Sequence, residues 1–455
     1  MALVASTLTR ISGFARFSCA FTDYVSVKPK RLEETKEIQK KETKKMNKKH
    51  ALIFVTITVF LDTVGFGIIV PVIPQYLADV AGVNLSEASA LSGYLVVSYA
   101  VTNFLFSPLL GGLSDSLGRR PILVVSLFFY GVSYLLSGFA TALWVLFLGR
   151  LLTGITSATY ATANALIADV SPPEERAQNF GLMGLAFGLG FIFGPALGGI
   201  IGAWDIRAPF FCAAGLAFIN CTYGFFFLKE TLGAENRRPF EWRRANPWGA
   251  MKQVGRYPLL IGLLCAVFLY NIGHHVYPSN WNFYTIEKFS WSPWDVGLSM
   301  AFVGVLSAIV QGGLIRIVIP KWGAVNCVYV GVFSACVAYT GIAVSNTGAE
   351  LYFWMFVSAL AGLGGPAITS ILSNQVEQNA QGELQGILAS IASLATIAGP
   401  LIMTQTFTYF TSNQAPTYLP GSAFLIAAAF TFIALLIFVV QIRKLPKESL
   451  VTSES

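Results

Sequence analysis

Two charged residues lie inside apolar stretches of the chain, where a charge is costly. Asp62 occurs in VFLDTVGFGIIVPVIP and Arg150 in LFLGRLLTG. A charged side chain at the centre of a bilayer costs about 2.5–3.5 kcal/mol on insertion scales, so neither residue is expected to face lipid. A buried carboxyl group can take up and release a proton near neutral pH, and a permanently charged guanidinium can tune such a group. These residues therefore predict proton coupling.

Each of the two also has a structural interpretation. Asp62 could instead cap a helix break near Gly65 and Gly67, or pair with a neighbouring helix. Arg150 could serve only as an ion-pair partner within the bundle.

A short polar segment, GGLSDSLGRRP, separates two apolar stretches. It places Gly111, Asp115, Gly118, Arg119 and Arg120 in close succession. We expect Asp115 to end one helix, Gly118 to allow a tight turn, and the arginines to pair with other helix ends. Anchoring of basic residues at the cytoplasmic surface explains the arginines alone, but not the whole spacing.

A glycine-rich apolar segment, GLGFIFGPALGG, predicts a closely packed helix. Its small residues and proline are Gly190, Gly194, Pro195, Gly198 and Gly199. Small residues about four positions apart allow two helices to approach closely, and the proline frees a backbone carbonyl and bends the helix. The functional interpretation is a hinge or seal that prevents leakage; generic helix packing is the alternative.

Several uncharged polar residues inside apolar stretches are candidates for the wall of a substrate cavity. The segment YNIGHHVYPSNWNFYT is the richest of these stretches in polar and aromatic residues. Adjacent histidines point to different faces of a helix, so a shared metal site is not expected. The alternative for each candidate is a hydrogen bond between helices. The candidates are Tyr99, Asn103, Asn164, His274, His275, Asn280, Trp281 and Gln311.

The composition predicts that transmembrane helices position these residues. Of 455 residues, 55% are hydrophobic and 12% charged, with mean hydropathy +0.63, whereas soluble domains are about 25% charged. The apolar residues form blocks of the length needed to cross a bilayer, about 20 residues. We therefore predict an all-α polytopic membrane protein with twelve transmembrane helices. They lie near residues 51–77, 88–113, 121–140, 143–168, 180–203, 208–228, 257–285, 295–319, 322–345, 350–376, 384–411 and 419–440.

The distribution of charge predicts the orientation. With both termini inside, Arg207 and Lys288 fall in outer loops and Arg150 in a helix, and the other 27 of the 30 basic residues are cytoplasmic. Basic residues favour the cytoplasmic side, so we predict a cell inner-membrane protein with both termini cytoplasmic. The net charge of +7 lies entirely in residues 1–50, with 12 basic and 5 acidic side chains, and it gives no argument for nucleic acid as a partner.

Residues 1–50 predict a basic, disordered N-terminal tail. Three origins remain open: an over-extended start with Met46 as the true one, a cytoplasmic tail, or organelle targeting. The six cysteines show no CxxC pairing and are interpreted as small packing residues.

Internal similarity divides the rest of the chain into two halves. FGLMGLAFGLGFIFGP, ending at Pro195, recurs as QGILASIASLATIAGP, ending at Pro400, and GGLSDSLGRR at 111–120 is echoed by GGLIRIVIPK at 312–321. The predicted units are a first half at 51–228, a cytoplasmic linker at 229–256, a second half at 257–442 and a tail at 443–455. Two parallel six-span repeats are typical of transporters with a site between them.

Motifs of other function classes are absent from the sequence. It has no GxxxxGK[ST] loop for ATP, and neither HExxH nor GxSxG. No enzymatic activity, metal or cofactor is predicted. The expected partners are a small-molecule substrate, protons and the lipid bilayer, with no nucleic acid and no ATP, and the expected state is a monomer.

These motifs together resemble the major facilitator superfamily, in particular its twelve-span drug:proton antiporters. GxxxDxxGRR at 111–120, LxxxRxxxG at 146–154 and GxxxGPxxGG at 190–199 match three of its motifs in order and spacing. LDTVGFGIIVPVIP, LGRLLTGITSAT, IADVSPPEERAQNFG, GLAFGLGFIFGPALGG and QGELQGILASIASLATIAGP look like tetracycline efflux pumps. The resemblance covers residues from about 50 to 442.

The resemblance implies the major facilitator fold and a role for each motif. Asp62 matches the family's first-helix carboxylate and Arg150 its proton-relay arginine. The turn containing Asp115, Arg119 and Arg120 matches the gating turn, and Gly194-Pro195 the antiporter signature. The implied function is proton-coupled efflux of a small amphipathic compound, tetracycline-like, by alternating access.

Three departures from the family pattern put tetracycline–cation recognition and the usual proton route in doubt. Ser116 follows Asp115 where a basic residue is usual, and Ser133 and Ala335 stand where characterised tetracycline pumps carry further acids. Since histidine titrates near neutral pH, His274 or His275 could replace one of these acids. Two alternative functions are a facilitator or importer of a small metabolite on the same fold, and a receptor or scaffold without transport.

Overall fold

The structure, a computed structural model, describes residues 50–156, 159–171, 173–233, 237–238, 240, 260–376 and 381–445. Across these residues the regular structure is helical and no strand occurs. Residues 54–445 within this range belong to one packed unit. Residues 1–49 of the predicted tail at 1–50, most of the predicted linker at 229–256, and residues 446–455 lie outside the described residues.

The helices of the first half follow the predicted spans. They are α1 (50–69), which continues through a 3₁₀ turn at Val70–Val72 into α2 (Ile73–Ala81), then α3 (Leu85–Leu117), α4 (Arg119–Gly138), α5 (Leu143–Thr156), α6 (Thr159–Val170), α7 (Pro173–Gly202) and α8 (Ala208–Phe227). The predicted span 143–168 corresponds to α5 and α6.

The helices of the second half follow the predicted spans in the same way. They are α9 (Ile261–His274), α10 (Val276–Phe289), α11 (Pro293–Ile309), α12 (Ile315–Val344), α13 (Gly348–Ala359), α14 (Gly364–Ser373), α15 (Gln381–Thr411) and α16 (Ser422–Ile442). A π-helical segment at Val310–Leu314 joins α11 to α12, and a 3₁₀ turn at Leu360–Leu363 joins α13 to α14. Gly323 has a φ of +75° inside α12, close to the predicted boundary between the spans 295–319 and 322–345.

Side-chain caps explain where several helices begin. Asn84 and Glu87 bond reciprocally to each other's backbone N–H at the start of α3, and Ser292 and Asp295 do the same at the start of α11. Such reciprocal bonds satisfy two of the backbone donors that a helix start leaves unpaired.

Nine helices in the described part of the chain are long and apolar enough to cross a membrane. The fold is therefore that of an all-α polytopic membrane protein. The count of nine follows from α5, which is short, from the break at His275, and from the continuous helical stretch Pro293–Val344. The total of twelve spans stays a prediction.

A similar close contact occurs at both Gly-Pro pairs. A Cβ built on Gly194, beside Pro195 of α7, would lie 2.9 Å from Gly67 Cα of α1. A Cβ built on Gly399, beside Pro400 of α15, would lie 2.7 Å from His275 Cβ between α9 and α10. In both halves a Gly-Pro helix therefore packs against the first helix of its own half, as the sequence echo implies.

Hydrogen bonds between the halves occur at one end of the bundle. Within the described ranges, they join Ser86 to Thr408 and Thr411, Ser89 to Asn280, and Asn282 to the carbonyl of Val70. Ser86 and Ser89 lie at the start of α3, at the end of that helix opposite to Asp115. The five described cysteines are free.

Candidate functional site

Asp62 is held by uncharged partners. It lies in the middle of α1 and is half-buried. Asn220 Nδ2 of α8 donates to Asp62 Oδ1 at 3.4 Å, and Asn220 Oδ1 accepts a bond from Thr58 Oγ1 at 3.1 Å. Asn220 and Thr58 are fully buried. The amide therefore bridges the carboxyl group to the helix that carries it.

Asn220 is a residue that the sequence analysis missed. The available signal was an isolated asparagine in the apolar run APFFCAAGLAFINCTYGFFF. Because polar residues within spans commonly bond to other helices, the sequence did not show that its partner is the carboxyl group.

Arg150 is near the carboxyl site but not bonded to it. Of the ion pairs recorded among the described residues, none joins Arg150 to Asp62. Both residues lie within electrostatic range of the buried Tyr134, and Tyr134 Oη would lie 3.8 Å from a Cβ built on Gly65. Arg150 is half-buried. The guanidinium thus lies within range of Tyr134, and among the described residues it forms no ion pair with Asp62.

The two positions where the family pattern has further acids are built into helix packing. Ser133 is buried, donates to the carbonyl of Tyr130 at 2.7 Å and accepts from Thr153 Oγ1 at 2.9 Å. Ala335 is fully buried in the core of the second half. Neither residue is itself an acid, so Asp62 is the acid that the described first-half site offers.

The turn between α3 and α4 is an ion-pair cluster. Arg119 Nη1 pairs with Asp115 Oδ1 at 2.5 Å, and Arg119 Nε pairs with Asp169 Oδ2 of α6 at 3.0 Å. Gly118 has a φ of +111°, a backbone conformation that favours glycine. Arg120 Nη2 donates to the carbonyl of Phe225 at 2.6 Å. The structure therefore brings together the turn residues predicted from their spacing; Gly111 faces open space with no atom within 4 Å.

Glu230 fastens this turn to the start of the linker. Its Oε1 accepts from the backbone N–H of Arg119 at 2.9 Å, and its Oε2 from that of Arg120 at 3.2 Å. A carboxylate at the N-terminus of α4 satisfies unpaired donors and favours the helix dipole. The sequence analysis did not identify Glu230, because 111 residues separate it from Arg119.

The glycines of the antiporter motif lie at helix contacts. A Cβ on Gly190 would come within 2.6 Å of Thr63 Cβ, and one on Gly194 within 2.9 Å of Gly67 Cα; one on Gly198 would collide with the backbone of Ile68. These three glycines therefore let α7 lie directly on α1, close to Asp62.

Gly199 has a different partner. A Cβ there would lie 2.7 Å from the carbonyl of Pro293 and 3.0 Å from Trp294 Cα, at the start of α11 in the second half. In return, a Cβ on Gly297 of α11 would collide with the carbonyl of Pro195. The helix that carries the motif thus touches both the helix of Asp62 and the opposite half.

The candidate cavity residues divide into two groups. Tyr99, Asn103 and Asn164 are half-buried, and Gln311 is exposed in the π-helical segment; Asn103 bonds Tyr99 Oη at 3.4 Å. By contrast, Asn280 is fully buried and bonds the carbonyl of Met403 at 3.3 Å, and Trp281 is 3% exposed with Nε1 on Ser299 Oγ. We assign Asn280 and Trp281 to helix packing in this structure.

The two histidines face different helices, as expected from their adjacency. His274 Nδ1 lies 3.3 Å from Tyr339 Oη of α12, and His275 Nε2 lies 3.3 Å from Thr396 Oγ1 of α15. No cluster of three or more potential metal ligands occurs in the part of the chain that the structure describes.

A bundle of apolar helices with a carboxyl group inside it and an ion-paired turn between α3 and α4 is typical of a membrane transporter. The sequence profile of the Major Facilitator Superfamily matches residues 55–365, and the chain belongs to this superfamily.

Within the superfamily, the chain is similar to proteins named for tetracycline resistance. The chain is 35% identical to "Tetracycline resistance protein, class C" of Escherichia coli over 390 residues, covering 86% of this chain and 96% of that protein. It is 35% identical to "Tetracycline resistance protein, class E" of Escherichia coli over 348 residues, covering 76% and 85%. Among solved structures, the human organic anion transporter MFSD10 aligns with a TM-score of 0.64 at 24% identity, covering 86% of this chain and 99% of that one.

Proposed function

We propose that the protein exports a small amphipathic compound of the tetracycline type across the cell inner membrane in exchange for protons. The observation that carries the proposal is Asp62, a carboxyl group inside the bundle whose recorded hydrogen-bond partner is the amide of Asn220. A carboxyl group without a bonded cation can exist in both protonation states, which exchange of protons for substrate requires.

The coupling step assigns each proton state to a conformation. Asp62 takes up a proton when the carrier opens outward and releases it to the cytoplasm when substrate binds to the inward-open form. The Asn220 amide donates to the ionised carboxylate and keeps it in place while it is without its proton. The energy of export comes from the proton gradient, with no ATP and no cofactor, and the protein acts as a monomeric transporter rather than as an enzyme.

The conformation supports alternating access. With both termini cytoplasmic, the start of α3 lies at the outer side, and the hydrogen bonds described between the halves gather there. The turn at Asp115 lies at the inner side and is bonded within the first half and to Glu230. We assign this structure to the state closed outward and open to the cytoplasm.

The substrate class follows from the curated relatives. Two proteins named for tetracycline resistance match at 35% identity over most of both chains. The motif with Gly190, Gly194 and Gly199, which packs α7 onto both halves, is the feature that favours exchange over facilitated import.

The test uses everted membrane vesicles energised to an acid interior. Adding tetracycline to vesicles with the wild-type protein is expected to release protons, whereas vesicles with Asp62→Asn at equal protein level give no release. Release by another amphipathic compound but not by tetracycline would keep the antiporter and reject the substrate. Equal release from both proteins would refute coupling through Asp62.

A further inference from the structure

The second half carries a polar site where the first half carries an apolar residue. The sequence LDTVGFG at 61–67 aligns with LYNIGHH at 269–275, a shift of 208. In this alignment His274 corresponds to Phe66, and Tyr270 corresponds to Asp62.

Packing supports this alignment at two positions. Gly67 contacts the Gly194-Pro195 pair, and its counterpart His275 contacts Gly399. Gly65 lies beside Ala213 in the last helix of the first half, and its counterpart Gly273 lies beside Ala427 in the last helix of the second. The segments 61–67 and 269–275 therefore occupy equivalent positions in their halves. His274 lies at the position equivalent to Phe66, whose side chain is 40% exposed.

His274 lies deep within the bundle and yet is exposed. Residues of the second half pack against the helical turn 270–274 that carries His274. Tyr339 of α12 contacts Nδ1 of His274, Gly273 packs on α16, and Tyr270 donates to the carbonyl of Ala361. The exposed edge of the ring thus faces the space between the halves.

The bond to Tyr339 sets the chemistry of that edge. Tyr339 is 1% exposed, and its recorded hydrogen-bond partner is His274 Nδ1 at 3.3 Å. A buried phenol needs an acceptor, so its hydroxyl donates to Nδ1 and leaves the proton of the neutral ring on Nε2. Within the described residues, Nε2 of His274 has no hydrogen-bond partner, and it is available as a donor.

No carboxylate competes for this donor in the described middle portions of the second half. The acids of the second half whose side chains the structure describes are Glu287, Asp295 and Glu350, and each lies in the first or last turn of its helix. A donor facing a shared cavity without a competing acid is suited to an acidic oxygen of a ligand.

We propose that Nε2 of His274, oriented by Tyr339, binds an acidic oxygen of the exported compound, such as an enolate, phenolate or carboxylate. This inference rests on the proposed function and specifies its substrate class: an amphipathic compound that carries such an oxygen. Asp62 and His274 then serve different purposes, the first for protons and the second for the substrate.

The test measures binding to the purified full-length protein in nanodiscs. The probes are tetracycline, whose enol and phenol oxygens ionise, and tetraphenylphosphonium, which has no acidic oxygen. His274→Phe introduces the residue that the first half has at this place, and is expected to raise the Kd for tetracycline about tenfold, which corresponds to about 1.4 kcal/mol. His274→Gln keeps an N–H donor and is expected to stay within about threefold of wild type, since a neutral hydrogen bond replaces a similar one.

Selectivity between the probes keeps the test specific. The Kd for tetraphenylphosphonium is expected to be unchanged in both variants. Cys265→Ser, at an exposed position of α9, serves as the control that leaves both affinities near wild type. The inference is overturned by an unchanged Kd for tetracycline in His274→Phe, by equal losses for both probes, or by a wild-type protein that binds only the cation. The comparison of proton release from wild-type and Asp62→Asn vesicles tests the proposed function separately. The proposed function and the role of His274 can therefore fail independently.

Discussion

Asp62 owes its position to an amide and a hydroxyl group. Thr58 lies one helical turn before it on α1, and Asn220 reaches both from α8. An ion pair would hold the carboxylate in its charged state, whereas this neutral chain permits both states. The site is thus consistent with a carboxyl group that must lose and regain its proton in each cycle.

Asn220→Leu is expected to weaken this site. It leaves Thr58 and the carboxylate without their bridging partner, and an unsatisfied buried polar group costs about 1–3 kcal/mol. We predict a lower melting temperature and a loss of tetracycline-driven proton release, both measured on the same membranes. The control is Thr222→Val, two residues further along α8 at an exposed position, and it should behave as wild type. Equal behaviour of the two variants would contradict the role of Asn220.

Asp62 could be identified from the sequence because a charged side chain in an apolar span costs free energy unless it has a partner or a function. It did not identify Asn220, because an amide is tolerated in a span and the sequence does not say which helix it faces. Similarly, the sequence placed Asn280 and Trp281 among cavity candidates, and only the packing of α10 against its neighbours shows that both are buried.

At the scale of the element, α7 is in close contact with two other helices, α1 and α11. Gly194, Gly198 and Gly199 meet backbone atoms of α1 or α11, which cannot move aside independently. The glycine spacing predicted a close approach, but the partners follow from the three-dimensional fold.

Gly194→Ala is expected to impair transport. Its methyl group would lie 2.9 Å from Gly67 Cα and from the carbonyl of Val64, and overpacking of this kind costs about 1–3 kcal/mol. Gly188→Ala on the same helix meets no atom within 4 Å and should keep or slightly raise stability, because alanine is the better helix former. The comparison is made by thermal unfolding and by tetracycline efflux; equal loss in both variants would contradict the contact.

Glu230→Gln tests the cap on α4. The neutral amide keeps an oxygen acceptor but loses the charge that favours the helix start, an effect of about 0.3–1 kcal/mol; Glu230→Ala removes the acceptor as well and should cost about 0.5–2 kcal/mol. Thermal unfolding is therefore expected to rank wild type, Gln and Ala in that order. Lys229→Gln is the control, and a stability of Glu230→Ala equal to that of the control would contradict the cap.

At the scale of the molecule, the two halves meet through short polar bonds near the start of α3. The echoes at Pro195 and Pro400 predict two repeated halves, and this division stays a prediction; each Gly-Pro pair lies at a close helix contact, which is consistent with it. The end at which the halves touch was not predictable, because conformational state depends on contacts between residues more than 300 positions apart, such as Ser86 and Thr411.

A disulfide between these two positions is expected to lock the carrier. The hydroxyl oxygens of Ser86 and Thr411 lie 2.7 Å apart, so Ser86→Cys with Thr411→Cys in a cysteine-free background should cross-link on oxidation. Transport should cease and return on reduction, because the outer side can no longer open. Full transport by the cross-linked protein would contradict the assigned state, and each single variant serves as control.

The central claim is that a proton gradient drives export, and purified protein in proteoliposomes tests it most directly. An acid interior of one pH unit, with the membrane potential clamped at zero, should drive about tenfold accumulation of labelled tetracycline for an exchange of one proton per neutral substrate, since one unit corresponds to about 1.4 kcal/mol. The account predicts accumulation above equilibrium with the wild type and none with Asp62→Asn. Equilibration without accumulation by the wild type would show a facilitator and contradict the account.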